Sequence, residues 1–176
     1  MTLAINHNNV GDLKMTLISP AGQEIVLVDR PEGNGFVEAD LISTDPISFS
    51  DAFTLNNPEE MGALLDSTEV ICRDDAKCEF FPFDDTANPK TFAYLLNAVN
   101  ANGGPRGTWR VNIADLSEDV TGNFRVDELK LTYTTDLFQS SLSYSTNNLA
   151  GIPNNNSTGR SIVLDASNFP TDGTLN

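Results

Sequence analysis

The sequence predicts an all-β domain with a short helical insertion, and three observations predict it. Leu13, Met15 and Leu17 alternate with Lys14, Thr16 and Ile18, the period of two that marks a half-buried strand. Ile25-Val26-Leu27-Val28 is an apolar run short enough to be a strand covered on both faces. After an interval with helical spacing, Trp109, Val111 and Ile113 alternate with Arg110, Asn112 and Ala114, so the β pattern returns.

Taken in order, Leu3, Ile5 and His7 alternate with Thr2, Ala4 and Asn6 as an opening strand. Asn8-Asn9-Val10-Gly11-Asp12 carries turn residues and predicts a hairpin into the strand at 13–18, which Pro20 and Gly22 end. Residues 30–45 are polar and contain Gly33 and Gly35, so they read as a long loop, and Ile47 to Phe53 alternates as a further strand. Asn57-Pro58-Glu59-Glu60 has a capping Asn, Pro in the first turn and two acids at the positive end of a helix dipole, which predicts a short helix through about Leu65. A second helix is predicted from Asn88-Pro89, with Phe92, Leu95, Leu96 and Val99 at helical spacing, and Asn102-Gly103-Gly104-Pro105 stops it. Trp109 anchors a central strand, Asp115 to Gly122 is an acid-rich turn, and Phe124 to Tyr133 reads as the last strand pair with Leu129, Leu131 and Tyr133 inward.

Three ordered motifs carry a resemblance. They are His7-x-x-x-Gly11-Asp12-Leu13 followed by Leu17-x-Ser19-Pro20-x-Gly22; Gly107-Thr108-Trp109 running to Asp115; and Gly122-Asn123-Phe124 followed by Leu129-Lys130-Leu131. Together they resemble the P domain that follows the subtilisin-like catalytic domain in proprotein convertases and many secreted bacterial proteases. The resemblance implies a jelly-roll-like β-sandwich of about eight strands over residues 1–176, a non-catalytic role, a subtilisin-like catalytic domain as partner in the parent protein, and a secreted, bacterial setting. His7, Gly11, Asp12 and Trp109 are then structural residues. Residues 56–104 are longer than the family requires and read as an insertion carrying two helices and both cysteines. At the other end, Ile152-Pro153-Asn154-Asn155 and Ser161-Ile162-Val163-Leu164-Asp165 are similar to the family's opening segment, which ordinarily precedes the His motif. Residues 149–176 are therefore a circularly permuted or strand-exchanged segment, a slice of a tandem array whose tail belongs to a neighbouring copy, or a β-rich extension.

Charge narrows the function classes. A formal net charge of −15 and a pI near 4.1 argue against nucleic acid as a partner, since binding phosphates needs a basic patch, and disfavour an anionic membrane surface. So much acid reads as solubility or as divalent cation binding. No stretch approaches the roughly 20 apolar residues of a membrane helix, and no basic segment precedes an apolar one in the manner of an export signal. Cys72 and Cys78 with one histidine in the chain cannot make a closed zinc site, which takes four N or S ligands. They read as a small disulfide loop in an oxidising compartment, with two free thiols as the alternative.

Catalysis is not expected. A Ser-His-Asp centre would have to use His7, which lies inside the opening strand, and no Gly-x-Ser-x-Gly elbow occurs. Asp84 and Asp85 are a carboxylate pair that calcium loops and lectins also use without chemistry. Calcium suits the acids better, since it takes six to eight oxygens from carboxylates and loop carbonyls. The candidate ligands are Asp115, Glu118 and Asp119 in one turn, Asp84 and Asp85 in another, and Glu38, Asp40 and Asp51 around an edge strand, none with EF-hand spacing. Two functions follow: an accessory module beside a subtilisin-like serine protease, or a calcium-stabilised binding or adhesive module in a tandem-repeat surface protein.

Overall fold

Among the described residues, the alternation of apolar and polar residues resolves into ten strands in two sheets that share one core. In a computed structural model, β1 (Thr2–Asn6), β2 (Leu13–Ile18), β3 (Glu24–Asp29), β4 (Ile47–Phe49) and β5 (Glu79–Phe80) precede one helix, α1 (Phe92–Ala101). β6 (Thr108–Asp115), β7 (Asn123–Thr134), β8 (Gln139–Ser145), β9 (Ile152–Pro153) and β10 (Asn156–Asp165) follow it. The structure describes all residues except 32–36, 83–89, 103, 117–122, 135–138, 146–151, 154–155 and 167–176, and only the backbone at 123–124, 133–134, 139–145, 152–153 and 156–160. One sheet runs β5-β4-β1-β7-β8 with β9 also on β7; the other runs β10-β6-β2-β3. Every pairing is antiparallel except the short one between β4 and β5. β5 and β9 have two residues each, so eight strands form the frame of this sandwich.

The inner faces are those the alternation predicts. Leu13, Met15, Leu17, Ile25, Leu27, Trp109, Val111 and Ile113 line one side, and Leu3, Ile5, Ile47, Phe49, Phe80, Val126, Leu129 and Leu131 the other, all buried. Burying each such side chain contributes about 1.5–3 kcal/mol. Trp109 keeps its indole N–H satisfied by donating to the Pro105 carbonyl at 3.1 Å. The side chain of Tyr133 lies outside the described residues.

Four expectations need correcting. Residues 123–134 are one strand, β7, flanked by β1 and β8, and not a final strand pair. β1 and β2 do not form a hairpin: they belong to different sheets, and residues 8–12 are an arch between them. A hairpin turn would keep both strands in one ladder, whereas here Val10 drops into the core and Asn9 takes the left-handed conformation at φ 61°. The loop at 37–41 then supplies the partners. Val10 N–H donates to Ala39 at 2.9 Å, Gly11 N–H to Val37 at 3.0 Å, and His7 and Leu41 exchange both their backbone bonds.

The helix expected through Leu65 is a single 3₁₀ turn at Pro58–Glu60, capped by Asn57, whose side chain accepts the Glu59 N–H at 3.0 Å. Gly62 ends it with φ +73°, and a Cβ there would lie 2.9 Å from Val37 Cγ1, so the chain turns away to pack on the 37–39 loop. The strand expected through Phe53 stops at Phe49. Phe53 N–H bonds back to the Ser50 carbonyl, and this turn brings Asp51 to the start of α1.

The tail is part of the frame. β10 lies antiparallel on β6, with Ile162 opposite Val111 and Leu164 opposite Trp109, and both side chains are buried while Val163 between them is 55 % exposed.

Candidate functional site

The sequence alternation that buries Trp109, Val111 and Ile113 continues one step further and buries Asp115. A carboxylate is thereby carried to the inner face at one end of the sandwich, where leaving it without partners would be costly. The opposite wall is His7, just past β1. His7 Nε2 stands 3.5 Å from Asp115 Oδ2, with both side chains no more than 2 % exposed. Asp12, in the arch, is the third buried ionisable side chain of this end, and its carbonyl accepts the Leu116 N–H at 2.8 Å. Asp40 approaches from the 37–41 loop and accepts the Asn9 N–H at 3.3 Å. Burial raises the Asp40 carboxyl above its ordinary pKa, against the lowering effects of that N–H and of His7. Arg30 closes the rim, donating from Nε to the Gly11 carbonyl at 3.4 Å.

This constellation joins both sheets and the arch through side chains of four segments. The imidazole faces a carboxylate, as the base of a catalytic triad does. It is sealed inside the fold, however, so the geometry fixes how the arch is held and offers no surface to a substrate. The sequence signal for the pair was available, since Asp115 falls in phase with the inward residues of its strand, but reading Asp115 with the acids after it hid that phase.

The other predicted site residues lie apart from it. Glu38 is exposed beside Asp40, whereas Asp51 is at the opposite end of β1, because β4 runs antiparallel to β1 with Ser48 opposite Thr2. Asp51 accepts the Phe92 and Ala93 N–H groups at 2.8 and 2.7 Å and so caps α1 from a distant segment. Asp84, Asp85, Glu118 and Asp119 lie outside the described residues. Among the described residues no three His, Cys, Asp or Glu side chains gather as a metal site. Cys72 and Cys78 form the disulfide, with Cα atoms 4.4 Å apart.

The arch and the loop that braces it fall within one sequence relationship. Residues 1–48 match the family model of the proprotein convertase P-domain. In that family the P-domain is an accessory, non-catalytic part of secreted proteases, associated with a catalytic domain. The matched P-domain stretch contains β1 to β3, the His7-to-Leu13 motif and nearly all of β4, so it spans both sheets. No curated protein and no solved structure gives a significant match to the chain. No described helix is long and apolar enough to cross a membrane.

Proposed function

We propose that this chain is a non-catalytic P-domain module of a secreted subtilisin-like serine protease, packed beside the catalytic domain and stabilising it. The observation that carries this reading is the P-domain match over residues 1–48, together with the placement of its His motif. That motif builds the arch, and its histidine and aspartate are buried as structural residues rather than displayed. The isolated chain then hydrolyses no peptide or ester substrate, and a peptidase activity lost on His7→Ala would overturn that.

The decisive test uses the parent protein. Removing this chain from it should shorten the half-life of its peptidase activity at elevated temperature. A parent with no catalytic domain, or one that is as durable without the chain, would refute the reading.

The same reading takes residues 149–176 as the family's opening segment carried at the other end. The register supports it. The end of β10, opposite Thr108, and the start of β1 lie at the same end of the sandwich, away from the arch. Calcium belongs to this proposal at Glu38 and at the acids of 84–85 and 118–119. Asp40 and Asp51 already accept backbone N–H groups and Asp115 faces His7. A site of about 10 μM affinity would raise stability by about 2.7 kcal/mol at roughly 1 mM calcium, and equal melting curves in calcium and in chelator would remove it.

A further inference from the structure

The segment from Val70 to Phe80 holds conformations that its residue types resist. Among the described residues four that are not glycine have left-handed φ, and two of them, Cys72 at 76° and Ala76 at 56°, lie in the loop that the Cys72–Cys78 disulfide closes. Neither is the Asn or Asp that tolerates this conformation best, so an open chain would leave it. The loop is tied inside by its own acids. Val70 N–H donates to Asp74 Oδ2 at 2.7 Å, and the Cys72 and Lys77 N–H groups both donate to Asp75 Oδ1 at 2.9 Å. Both cysteines are half-buried, not sealed in the core.

Each end of the loop is fastened to a different part of the frame. Ile71, fully buried, donates its N–H to the Asp40 carbonyl at 3.0 Å, and Asp40 donates its own to the Glu69 carbonyl at 3.0 Å. Asp40 is also the residue whose carboxylate accepts the Asn9 N–H of the arch, and its neighbour Ala39 accepts that of Val10. At the other end the Cys78 carbonyl accepts the Ser48 N–H at 2.8 Å. Two residues on, Phe80 is buried against Phe49 of β4, with ring centroids 6.1 Å apart. The disulfide thus joins the brace of the arch to the β4–β5 edge of the six-stranded sheet. The acceptors that fix Val70 and Cys72 are Asp74 and Asp75, inside the closed loop, so their positions depend on the bridge.

We propose that the Cys72–Cys78 disulfide is a redox-sensitive clasp that a dithiol opens in the folded protein, and that opening it loosens residues 70–78 and, through Asp40, the grip on the arch. One thiolate of the dithiol attacks a sulfur of the bridge, the S–S bond breaks, and a mixed disulfide and one free cysteine result. The second thiol of the reagent then displaces the other cysteine. The dithiol supplies both electrons and ends as its own disulfide, and its two hydrogens end on the cysteine sulfurs. With the bond broken, Cys72 and Ala76 relax from left-handed φ, Asp74 and Asp75 shift with them, and the bond from Ile71 to Asp40 loses its support. The frame persists, because Ile71 and Phe80 are held by burial in the core. The clasp belongs to the chain itself, whatever parent carries it.

The test treats the folded chain with millimolar dithiothreitol in the absence of denaturant, counts thiols by alkylation and mass spectrometry, and compares amide protection before and after. Both cysteines should be alkylated while the near-ultraviolet signature of Trp109 is kept. The amides of Ile71, Asp40 and Val10 should lose about tenfold more protection than those of β2 and β6, a local opening beyond the general loss of stability. The double variant Cys72→Ser, Cys78→Ser should show the same exchange pattern without reductant. Cysteines that stay unmodified until the chain is unfolded would make the bridge a sealed staple and overturn the proposal. So would an extra loss confined to residues 72–78, which would uncouple the loop from the arch, or an equal loss at the arch and in β2 and β6.

Discussion

Residues 1–48 and residues 50–104 solve the same problem, fixing a backbone, by different physics. In the first, strand alternation points Leu3, Ile5, Leu13, Met15, Leu17, Ile25 and Leu27 into a shared core, and ladders between strands satisfy the backbone. In the second, the described residues hold one two-residue strand, one 3₁₀ turn and one ten-residue helix, and elsewhere side-chain acceptors supplement backbone turn bonds. Asp66 accepts the Thr68 N–H, Asp74 the Val70 N–H, and Asp75 those of Cys72 and Lys77, while Asp51 reaches across to cap α1. Of the acids that suggest a metal, Asp40 and Asp51 are acceptors for loop N–H groups in the same way. A region without regular structure needs such acceptors because its buried and half-buried backbone groups have no ladder to join.

The comparison can be broken hardest at the arch. His7→Leu leaves Asp115 buried without the ring that faces it, and breaking a buried ionisable pair costs about 3–5 kcal/mol. Denaturant unfolding should show that loss, and a change of under about 1 kcal/mol would mean that other partners suffice for Asp115.

Next in size is Gly62→Ala. It combines a left-handed backbone with a Cβ only 2.9 Å from Val37 and 3.0 Å from Ala39, so about 1–3 kcal/mol should be lost. An unchanged stability would mean that the insertion does not press on the 37–39 loop.

The disulfide comes third. Closing a loop with a sequence separation of six removes unfolded-state entropy worth about 2 kcal/mol in the chain-entropy model. Changing both Cys72 and Cys78 to Ser should therefore lower stability by about that amount and leave the frame folded. Collapse of the whole fold would show that the insertion is not subordinate to the sandwich.

The smallest effect is acid sensitivity. The Thr68 N–H and hydroxyl hold Asp66 below the ordinary carboxylate pKa, and Arg73 and then the Val70 N–H do the same for Asp74. A depressed pKa in the fold contributes stability that is present above the ordinary value and lost as pH falls through the folded one. The protection of the amides in 66–78 relative to their intrinsic exchange rates should thus fall at acid pH before that of β2 and β6 does. Simultaneous loosening of both would erase the distinction between the two regions.

What was legible follows the same division. β2, β6 and the Ile162/Leu164 strand were readable because a period of two with one buried face is a direct record of packing. α1 was readable from its spacing and its Gly-Pro stop. The arch was not, because turn residues specify a reversal and not which sheet receives the next strand. The helix expected to run on to Leu65 does not form past Glu60, because Gly62 takes a role that depends on Val37 and Ile71 from elsewhere in the chain. Asp51 as a remote cap and Asp115 as the partner of His7 are both contacts between segments far apart in sequence. Of the calcium candidates, four lie among the described residues: Asp40 and Asp51 accept backbone N–H groups, Asp115 faces His7, and Glu38 is exposed.

The central claim is that the frame closes only with the tail strand in place, and native-state hydrogen exchange addresses it directly. Core strands exchange only through global unfolding, whereas frayed segments open at far lower free energy. The amides of β10 that bond β6 between Ser161 and Asp165 should exchange with the same free energy as those linking β6 to β2, and well above the loop at 66–78. If the β10 amides exchange at the low free energy of a loose end while β2 and β6 remain protected, the sandwich is complete without the tail and the account is wrong.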